Sequence, residues 1–285
     1  MGVFRPREPL MLSLGDRRVD LSRRALVMGI LNRTHDSFYS PAATYDLDEF
    51  FARADSLVAD GADILDVGGV KAGPGDEVSE QEELDRVVPV IEELSRRFDV
   101  ALSVDTWRAA VAKASFDVGA VVGNDISGFA DPEYLSIAAA AKATVVATHI
   151  RLRPRVADPD PHYDDVTSTV TEFLLERRRW AQAAGLGSDQ VVFDAGLDLG
   201  KTAAQSLQLF RDTPLLAGLG APLLLSASNK TFLGAYFDLE VHERSSASTA
   251  AVALGITQGC RIVRVHDVAG AVRVRDVLEQ IASVP

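Results

Sequence analysis

Polar side chains follow several short apolar segments of this chain, each at the point where the segment ends. Asp105 and Asn124 follow two such segments in the first half of the chain, and Asp194 follows another in the second half. A carboxylate can fix the plane of a donor-rich ring through two parallel hydrogen bonds, and an amide can both donate and accept. Helix capping is the simpler interpretation of each Asn or Asp taken alone.

Cationic side chains accompany the last three apolar segments. The chain has only five lysines, yet Lys201 and Lys230 follow the sixth and seventh segments, and Arg264 and His266 lie in and just after the eighth. Because helix capping does not require lysine, arginine or histidine, the whole set favours a shared site. These residue types predict a ligand with an anionic tail and a polar, donor-rich head.

The elements that must position these residues alternate in type along the chain. Eight short runs are rich in Val, Ile and Leu, as strands buried on both faces should be, at 26–31, 62–67, 100–104, 120–123, 144–148, 191–193, 222–226 and 261–265. Amphipathic stretches lie between them, with capping-box spacing at Asp46 and Glu49 and again at Ser79 and Glu82. The alternation predicts a single (β/α)8 TIM barrel over residues 25–285, in which all the strand ends meet at one rim.

A doubly wound open sheet is the main alternative architecture. That fold places a glycine-rich dinucleotide loop after its first strand, whereas the corresponding segment here, LNRTHDSF, contains no glycine. Barrel enzymes often hold phosphate near their last two strands, which agrees with the positions of Lys230 and Arg264. We interpret residues 1–24 as an N-terminal extension, and a small hairpin is one form that it could take.

Composition excludes several classes of function. The 285 residues carry a net charge of −12, and an acidic surface repels nucleic-acid backbones and anionic lipid, so we expect no nucleic-acid or membrane partner. The single cysteine, Cys260, allows no intramolecular disulfide and no cysteine metal cluster. Since no apolar run has the length of a membrane span and the N-terminus lacks a hydrophobic signal core, we expect a cytoplasmic protein.

Seven motifs carry a resemblance to a known family. In chain order they are MGILNRTHDSF, GADILDVGG, VDTWRAAVA, GNDISG, DAGLDLGKT, NKTFLG and VRVHDV. They resemble the motifs of bacterial dihydropteroate synthase over almost the whole chain after residue 25. The resemblance implies a (β/α)8 barrel and a homodimer that acts in folate synthesis. The implied reaction joins p-aminobenzoate to 6-hydroxymethyl-7,8-dihydropterin diphosphate and releases pyrophosphate, with Mg²⁺ as the cofactor.

The resemblance also implies the roles of individual residues. The family's pterin-pocket positions are matched by Asp105, Asn124, Asp194 and Lys230. The positions that hold the diphosphate are matched by Asn32, Arg264 and His266, of which Asn32 is the candidate Mg²⁺ ligand. Lys230, Arg264 and His266 are the candidate catalytic residues. Since charge builds on the leaving diphosphate as the C–O bond breaks, preplaced cations and Mg²⁺ lower the barrier.

Several departures from the family pattern fall on the aminobenzoate side. The second loop reads VKAGPG where the family has Glu-Ser-Thr-Arg-Pro-Gly, so Ala72 and Gly73 replace the Thr-Arg pair that shapes and closes that side. Asn229 replaces the arginine of a Ser-Arg-Lys motif. Arg33 and His35 stand where Val and Pro are usual, and together with Lys71 they are candidates for compensation. The added Asp198 places negative charge near a pocket meant for anions.

These departures predict a family member with weak or absent synthase activity. A hydrogen bond to a charged group contributes ~1.5–3 kcal/mol, so two lost contacts predict roughly a 10²–10⁴-fold weaker co-substrate step. An active synthase with rebuilt loops is one alternative, and a non-catalytic pterin- or sulfonamide-binding protein is another. A methyltetrahydrofolate methyltransferase also uses such a barrel, but nothing in the sequence indicates the corrinoid partner surface that it needs.

Two features outside these motifs have simple interpretations. Arg151, Arg153 and Arg155 lie together in RLRPRVADPDP, where they could hold an anion, although a solvated loop is the interpretation we favour. His149 follows the fifth strand, where packing beneath the ligand and acid–base chemistry are equally good explanations.

Overall fold

A computed structural model describes residues 10–33 and 43–284 of the chain. An antiparallel hairpin comes first, formed by β1 (Met11–Leu14) and β2 (Arg17–Asp20). Eight parallel strands follow: β3 (Leu26–Asn32), β4 (Ile64–Gly68), β5 (Ala101–Asp105), β6 (Val122–Asp125), β7 (Thr144–Thr148), β8 (Val191–Asp194), β9 (Leu223–Leu225) and β10 (Ile262–Val265). They close in the order β10-β3-β4-β5-β6-β7-β8-β9, which confirms the predicted (β/α)8 barrel.

Helices surround the barrel on its outer face. They are α1 (Ala43–Ala59), α2 (Glu80–Arg97), α3 (Ala109–Asp117), α4 (Tyr134–Ala140), α5 (Val166–Ala183), α6 (Ala203–Arg211), α7 (Thr213–Leu216), α8 (Thr231–Gly234), α9 (Ser245–Gln258) and α10 (Val268–Ser283). Ser79 caps α2 as predicted, since its side chain accepts a hydrogen bond from the backbone N–H of Glu82 at 3.1 Å. The predicted start of α1 at Asp46 is wrong, because the chain is already helical at Ala43.

The base of the barrel is filled by one apolar cluster. Every barrel strand contributes to it, and so does the hairpin: Leu12, Leu14, Leu21, Leu26, Met28, Ile64, Ala101, Val122, Val146, Val192, Leu224 and Ile262. The N-terminal hairpin therefore closes the base of the barrel, although the division of the chain at residue 24 stays a prediction. Residues 1–9 lie outside the described part of the chain.

The members of this cluster identify the inward-facing positions of each strand, and so which side chains face the interior at the other end of the barrel. Successive side chains of a strand point to opposite faces, so residues two apart share a face. Residues two positions after the inward Ile64, Val122, Val192 and Ile262 therefore face the interior near the carboxyl ends of their strands, and these are Asp66, Asn124, Asp194 and Arg264. Among the described residues, no helix combines the length and apolarity needed to cross a membrane.

Candidate active site

Arg264 and two carboxylates form the centre of the inward-facing polar layer. Its Nε donates to Asp66 Oδ2 at 2.6 Å, and its Nη2 donates to Asp105 Oδ2 at 2.8 Å. The fully buried Asp66 also accepts from Ser103 Oγ at 2.5 Å and from Asn124 Nδ2 at 3.0 Å. One carboxylate on β4 thus gathers donors from β5, β6 and β10.

Asp66 ends the second predicted strand at the shared rim, but the sequence analysis assigned it no role in the site. Its signal was present, because it is the one acidic residue of β4, Ile64–Gly68, whose other residues are apolar. It lies two residues after the inward Ile64, so the strand period places it inside the barrel. A buried charge without a partner is strongly unfavourable, so an acid at this position indicates a cationic partner across the barrel.

Burial controls the protonation of this cluster. It raises the pKa of Asp105 to about 7, with Asp66 adding to the increase and Arg264 opposing it. Burial also opposes the charge of Arg264, but Asp66 and Asp105 outweigh it and raise the pKa of the guanidinium. Arg264 therefore keeps its positive charge, and Asp105 exchanges a proton near neutral pH.

Asp194 and Lys230 are two further charged groups at the rim that act on each other electrostatically. Asp194 Oδ1 accepts from the backbone N–H of Gly196 at 2.8 Å, and Lys230 Nζ donates to the carbonyl of Leu197 at 2.6 Å. Burial raises the pKa of Asp194 against the effect of Lys230, and it lowers the pKa of Lys230 against the effect of Asp194. No described residue bonds Asp194 Oδ2, so that oxygen is available to a ligand.

Lys201 departs from the predicted cationic corner. Its buried Nζ lies 2.9 Å from His149 Nδ1 and donates to the carbonyls of Gly196 and Leu199 at 2.8 and 3.0 Å. Burial, with a smaller effect from Lys230, lowers its pKa to about 7. Lys201 thus fixes the loop after β8 against the end of β7, a structural use that the sequence did not indicate.

His149 is a neutral packing residue. Burial and the neighbouring Lys201 lower its pKa to about 3. Its ring meets Phe173 edge to face, with centroids 4.9 Å apart. Of the two explanations for this histidine, the geometry therefore favours packing.

His266 lies at the rim with hydrogen-bond partners on two sides. Its Nδ1 is 2.9 Å from Ser228 Oγ and 3.5 Å from Asn229 Nδ2, and its carbonyl accepts from Arg53 at 2.5 Å. Partial burial of the ring, followed by the charges of Arg264 and Arg53, lowers its pKa to about 4. At neutral pH this corner therefore owes its positive charge to the arginine and lysine side chains, and His266 acts through hydrogen bonds.

Asn32 and Asp105 face each other above a glycine. Asn32 pairs with Gly68 in the β3–β4 register, and a Cβ added to Gly68 would lie 3.2 Å from Asn32 Oδ1 and 3.7 Å from Asp105 Oδ2. The glycine therefore leaves a cradle between an amide oxygen and a carboxylate oxygen. Within residues 10–33 and 43–284, no three His, Cys, Asp or Glu side chains form a metal-binding group, so a cation here would keep mostly water ligands.

The substituted residues of the aminobenzoate side contact other parts of the protein. Arg33 Nη1 donates to the carbonyl of Arg86 in α2 at 2.6 Å. Asn229 adopts a left-handed conformation with φ of 59°, and its Oδ1 accepts from Ser248 Oγ at 3.3 Å. Asp198 Oδ2 accepts from the backbone N–H of Phe232 at 3.2 Å. His35 lies outside the described residues.

Comparison with known proteins identifies the family. The sequence profile described as pterin binding enzyme matches residues 28–266. The dihydropteroate synthase of Bacillus subtilis is 39% identical over 259 residues, which cover 90% of this chain and 88% of that protein. The chain belongs to the dihydropteroate synthase family. It is thereby a member of a folate-pathway family with a pterin-binding barrel.

Solved dihydropteroate synthases share the whole fold. A Xanthomonas albilineans dihydropteroate synthase with 4-aminobenzoic acid has a TM-score of 0.90 and 36% identity, covering 98% of this chain and 100% of that one. A Yersinia pestis dihydropteroate synthase in a sulfonamide drug complex has a TM-score of 0.89 and 37% identity, covering 96% and 99%.

An inactive family member is equally similar. The inactive dihydropteroate synthase 2 of Mycobacterium tuberculosis is 40% identical over 268 residues, which cover 92% of this chain and 83% of that protein. Identities of 39% and 40% do not separate the active from the inactive branch. Activity must therefore be argued from particular side chains.

Proposed function

We propose that this chain binds a pterin at the barrel mouth and condenses it with p-aminobenzoate weakly or not at all. The observation that carries the proposal is the contrast between the two sides of the site. On the pterin side, Asp105 and Asn124 are hydrogen-bonded to the Arg264–Asp66 pair. On the other side, Ala72 and Gly73 carry no side chain that could replace the family's Thr-Arg pair.

The pterin-side residues have defined tasks in this proposal. Asp194 accepts two parallel hydrogen bonds from the amino-pyrimidine edge of the ring, one at each carboxylate oxygen. The backbone N–H of Gly196 donates to Oδ1 and keeps the carboxylate oriented. Arg264 and Lys230 hold the diphosphate by charge. Protonation of Asp105, whose pKa is about 7, reduces its repulsion of the anionic tail.

Mg²⁺ fits the cradle above Gly68, and we propose Asn32 as its one protein ligand. The exposed amide oxygen of Asn32 suits a cation that keeps most of its water shell. When bound, Mg²⁺ neutralises charge that develops on the leaving diphosphate.

The loss on the aminobenzoate side is large enough to remove most activity. Asn229 replaces the family's arginine. Its Oδ1 accepts from Ser248 Oγ, and its Nδ2 lies 3.5 Å from His266 Nδ1. Arg33, a candidate for compensation, donates to α2. Two missing charged hydrogen bonds of ~1.5–3 kcal/mol each predict roughly 10²–10⁴-fold slower condensation.

The test measures dihydropteroate formation by the purified protein with pterin diphosphate, p-aminobenzoate and Mg²⁺. We expect a rate at least ~100-fold below that of the Bacillus subtilis enzyme assayed in parallel. The combined variant Ala72→Thr, Gly73→Arg, Asn229→Arg should regain part of the difference. A Cβ at Gly73 would meet no heavy atom within 4 Å, so the first atom of an arginine side chain can be accommodated there. Wild-type turnover equal to the active enzyme contradicts the proposal.

Pterin binding is tested separately by calorimetry with a pterin plus pyrophosphate. We expect measurable heat in the wild type and none in Asp194→Asn, which cannot accept both hydrogen bonds. No heat and no thermal stabilisation with any pterin would remove the pterin part of the proposal.

Two other functions remain as alternatives. An active synthase with rebuilt loops agrees with 39% identity to a dihydropteroate synthase, and growth of cells that lack their own synthase would support it. A non-catalytic sulfonamide-binding protein agrees with the similarity to the Yersinia pestis drug complex. Thermal stabilisation by a sulfonamide without any turnover would favour that function.

We also propose a homodimer, on the basis of the family resemblance and an apolar surface beside α8 and α9. Tyr236, Phe237 and Leu254 are 64%, 77% and 46% exposed there, and clusters of large exposed apolar residues mark interaction surfaces. Sedimentation equilibrium tests this, with Phe237→Lys expected to shift the protein to monomer. Location in the cytoplasm stays a prediction.

A further inference from the structure

Two loops from separate parts of the rim meet in this structure. One is the β4 loop, residues 69–79, which contains the altered VKAGPG segment, and the other is the β7 loop, residues 149–165. In the barrel order, β5 and β6 lie between β4 and β7. A contact between the two loops therefore spans the side of the rim where β5 and β6 present Asp105 and Asn124.

Arg155 makes three hydrogen bonds in this contact. Its backbone N–H donates to the carbonyl of Ala72 at 3.1 Å, its Nη1 donates to the carbonyl of Lys71 at 3.1 Å, and its Nη2 donates to the carbonyl of Asp76. Gly75 lies against the same guanidinium, since a Cβ there would be 3.0 Å from Nη2. One residue thus binds three carbonyls within six residues of the β4 loop.

The β7 loop is itself fixed in place. Arg151 makes a two-pronged ion pair with Asp158, at 2.6 and 2.5 Å. Tyr163 Oη donates to the carbonyl of Gly200 at 2.7 Å, which ties the loop to the segment after β8. The interpretation that these arginines are merely solvated is therefore wrong for Arg151 and Arg155. Arg155 extends from a loop whose conformation is held by these contacts.

The β4 loop has few side chains of its own that could define its conformation. Its central residues include Ala72, Gly73 and Gly75, which lack side-chain hydrogen-bonding groups, and glycine adds backbone freedom. The backbone acceptors of the loop therefore decide its position. A planar guanidinium suits that task because its donors form a rigid fork that an ammonium group cannot reproduce.

We infer that Arg155 is a positioning residue that holds the β4 loop across the rim on the side of Asp105 and Asn124. The inference deepens the proposed pterin-binding function and rests on it for its consequence on ligand exchange. The β4 loop lacks the family's arginine, and Arg155 of the β7 loop binds the backbone of that loop instead. In this inference, release of a ligand requires the contact between the two loops to open.

Trypsin offers a direct probe of this contact. The bond after Lys71 is the natural cleavage site in the β4 loop, and its carbonyl accepts from Arg155. Cleavage requires that loop to open, so its rate reports the open population. In the ligand-free protein we expect Arg155→Ala to speed cleavage between Lys71 and Ala72 by roughly tenfold or more, measured by mass spectrometry.

Arg153→Ala is the matched control, because Arg153 is an exposed arginine of the same loop. It should leave the cleavage rate unchanged, and Arg155→Lys should give an intermediate rate. Equal cleavage rates in Arg155→Ala and Arg153→Ala would overturn the inference, whatever the result of any ligand experiment.

The consequence for ligand exchange is measured with 6-hydroxymethylpterin plus pyrophosphate in stopped flow. Arg155→Ala should release the pterin several-fold faster than wild type, while Arg153→Ala should not. Faster proteolysis with unchanged release would reduce Arg155 to a structural contact and overturn its positioning role. A wild type that binds no pterin would instead contradict the proposed function and leave the proteolysis result standing.

Discussion

Arg264 and Asp66 form an ion pair across the barrel interior, with Nε and Oδ2 2.6 Å apart. Their strands are not neighbours, since β3 lies between β10 and β4. The Asp66 side chain is fully buried, and 15% of the Arg264 side chain is exposed at the rim. The pair therefore joins the closed interior to the open mouth and orients the guanidinium before any ligand binds.

Asp66→Asn should destabilise the protein strongly. Removal of one member of a buried ion pair leaves the other poorly compensated, and we expect the free energy of unfolding to fall by about 3 kcal/mol. Urea denaturation measures the change. Ser103→Ala is the control, because it removes only the hydroxyl that donates to Asp66 and should lower the free energy of unfolding by about 1 kcal/mol. Equal losses in the two variants would show that the ion pair has no special weight.

Two buried threonines of β7 allow a matched test of hydrogen-bond satisfaction. Thr148 Oγ1 has no hydrogen-bond partner among the described residues, whereas Thr144 Oγ1 donates to the carbonyl of Ser13 in the hairpin at 2.5 Å. Both residues are 1% exposed. Thr148→Val should therefore raise the free energy of unfolding by about 1 kcal/mol, and Thr144→Val should lower it by about the same amount.

Thermal and urea unfolding of both variants check this pair. The opposite signs of the two changes are the informative result. Valine has nearly the same shape as threonine, so both variants lose only a hydroxyl group. Destabilisation by Thr148→Val as large as that by Thr144→Val would mean that the Thr148 hydroxyl has a partner in solution.

Acidification should weaken the fold through His149. Its pKa is about 3 in the folded protein and about 6.5 when unfolded, so between these values the unfolded chain binds more protons. The stability from this group is complete above pH 6.5 and is lost as the pH falls. Between pH 7 and pH 5 the loss is about 2 kcal/mol in free energy of unfolding.

His149→Gln isolates that contribution, since glutamine does not titrate. Its free energy of unfolding should depend less on pH, by about 2 kcal/mol between pH 7 and pH 5. Asp125 acts in the opposite direction: burial raises its pKa to about 6, so the stability it contributes is lost as the pH rises. That effect is common to both proteins and cancels in the comparison. Identical pH dependences would contradict the assignment of His149.

The strands were predictable from the sequence because their physical signal is simple. Strands buried on both faces are almost continuously apolar, and all eight runs lie within two residues of the observed strands. The convergence of Asp105, Asn124, Asp194 and Arg264 followed from parallel strands ending at one rim. The chemical roles of these residues remain predictions.

The direction of individual side chains was not predictable. Arg33 and Asn229 are substitutions whose meaning depends on where the side chains point, and their partners, Arg86 and Ser248, are 53 and 19 residues away in sequence. Lys201 is similar, because its contact with His149 depends on how two loops pack. Such contacts are decided by tertiary structure, which local patterns do not encode.

Arg33 illustrates this with a contact that can be tested. Pro89 lies inside α2 and has no backbone N–H, so the carbonyl of Asp85 loses its partner within the helix. Arg33 Nη1 donates to the carbonyls of Arg86 and Asp85, at 2.6 and 3.4 Å. Arg33 thus supplies a hydrogen-bond donor to the helix carbonyls beside the proline. The same contact ties the segment after Asn32 to α2.

Arg33→Val should therefore lower the free energy of unfolding by about 1 kcal/mol. In a Pro89→Ala background the loss should be smaller, because the alanine N–H can donate to the Asp85 carbonyl in place of the arginine. A double-mutant cycle by urea denaturation measures this coupling. A loss of the same size in both backgrounds would show that Arg33 stabilises the protein independently of the proline, and that its contact with α2 is not a repair of the helix.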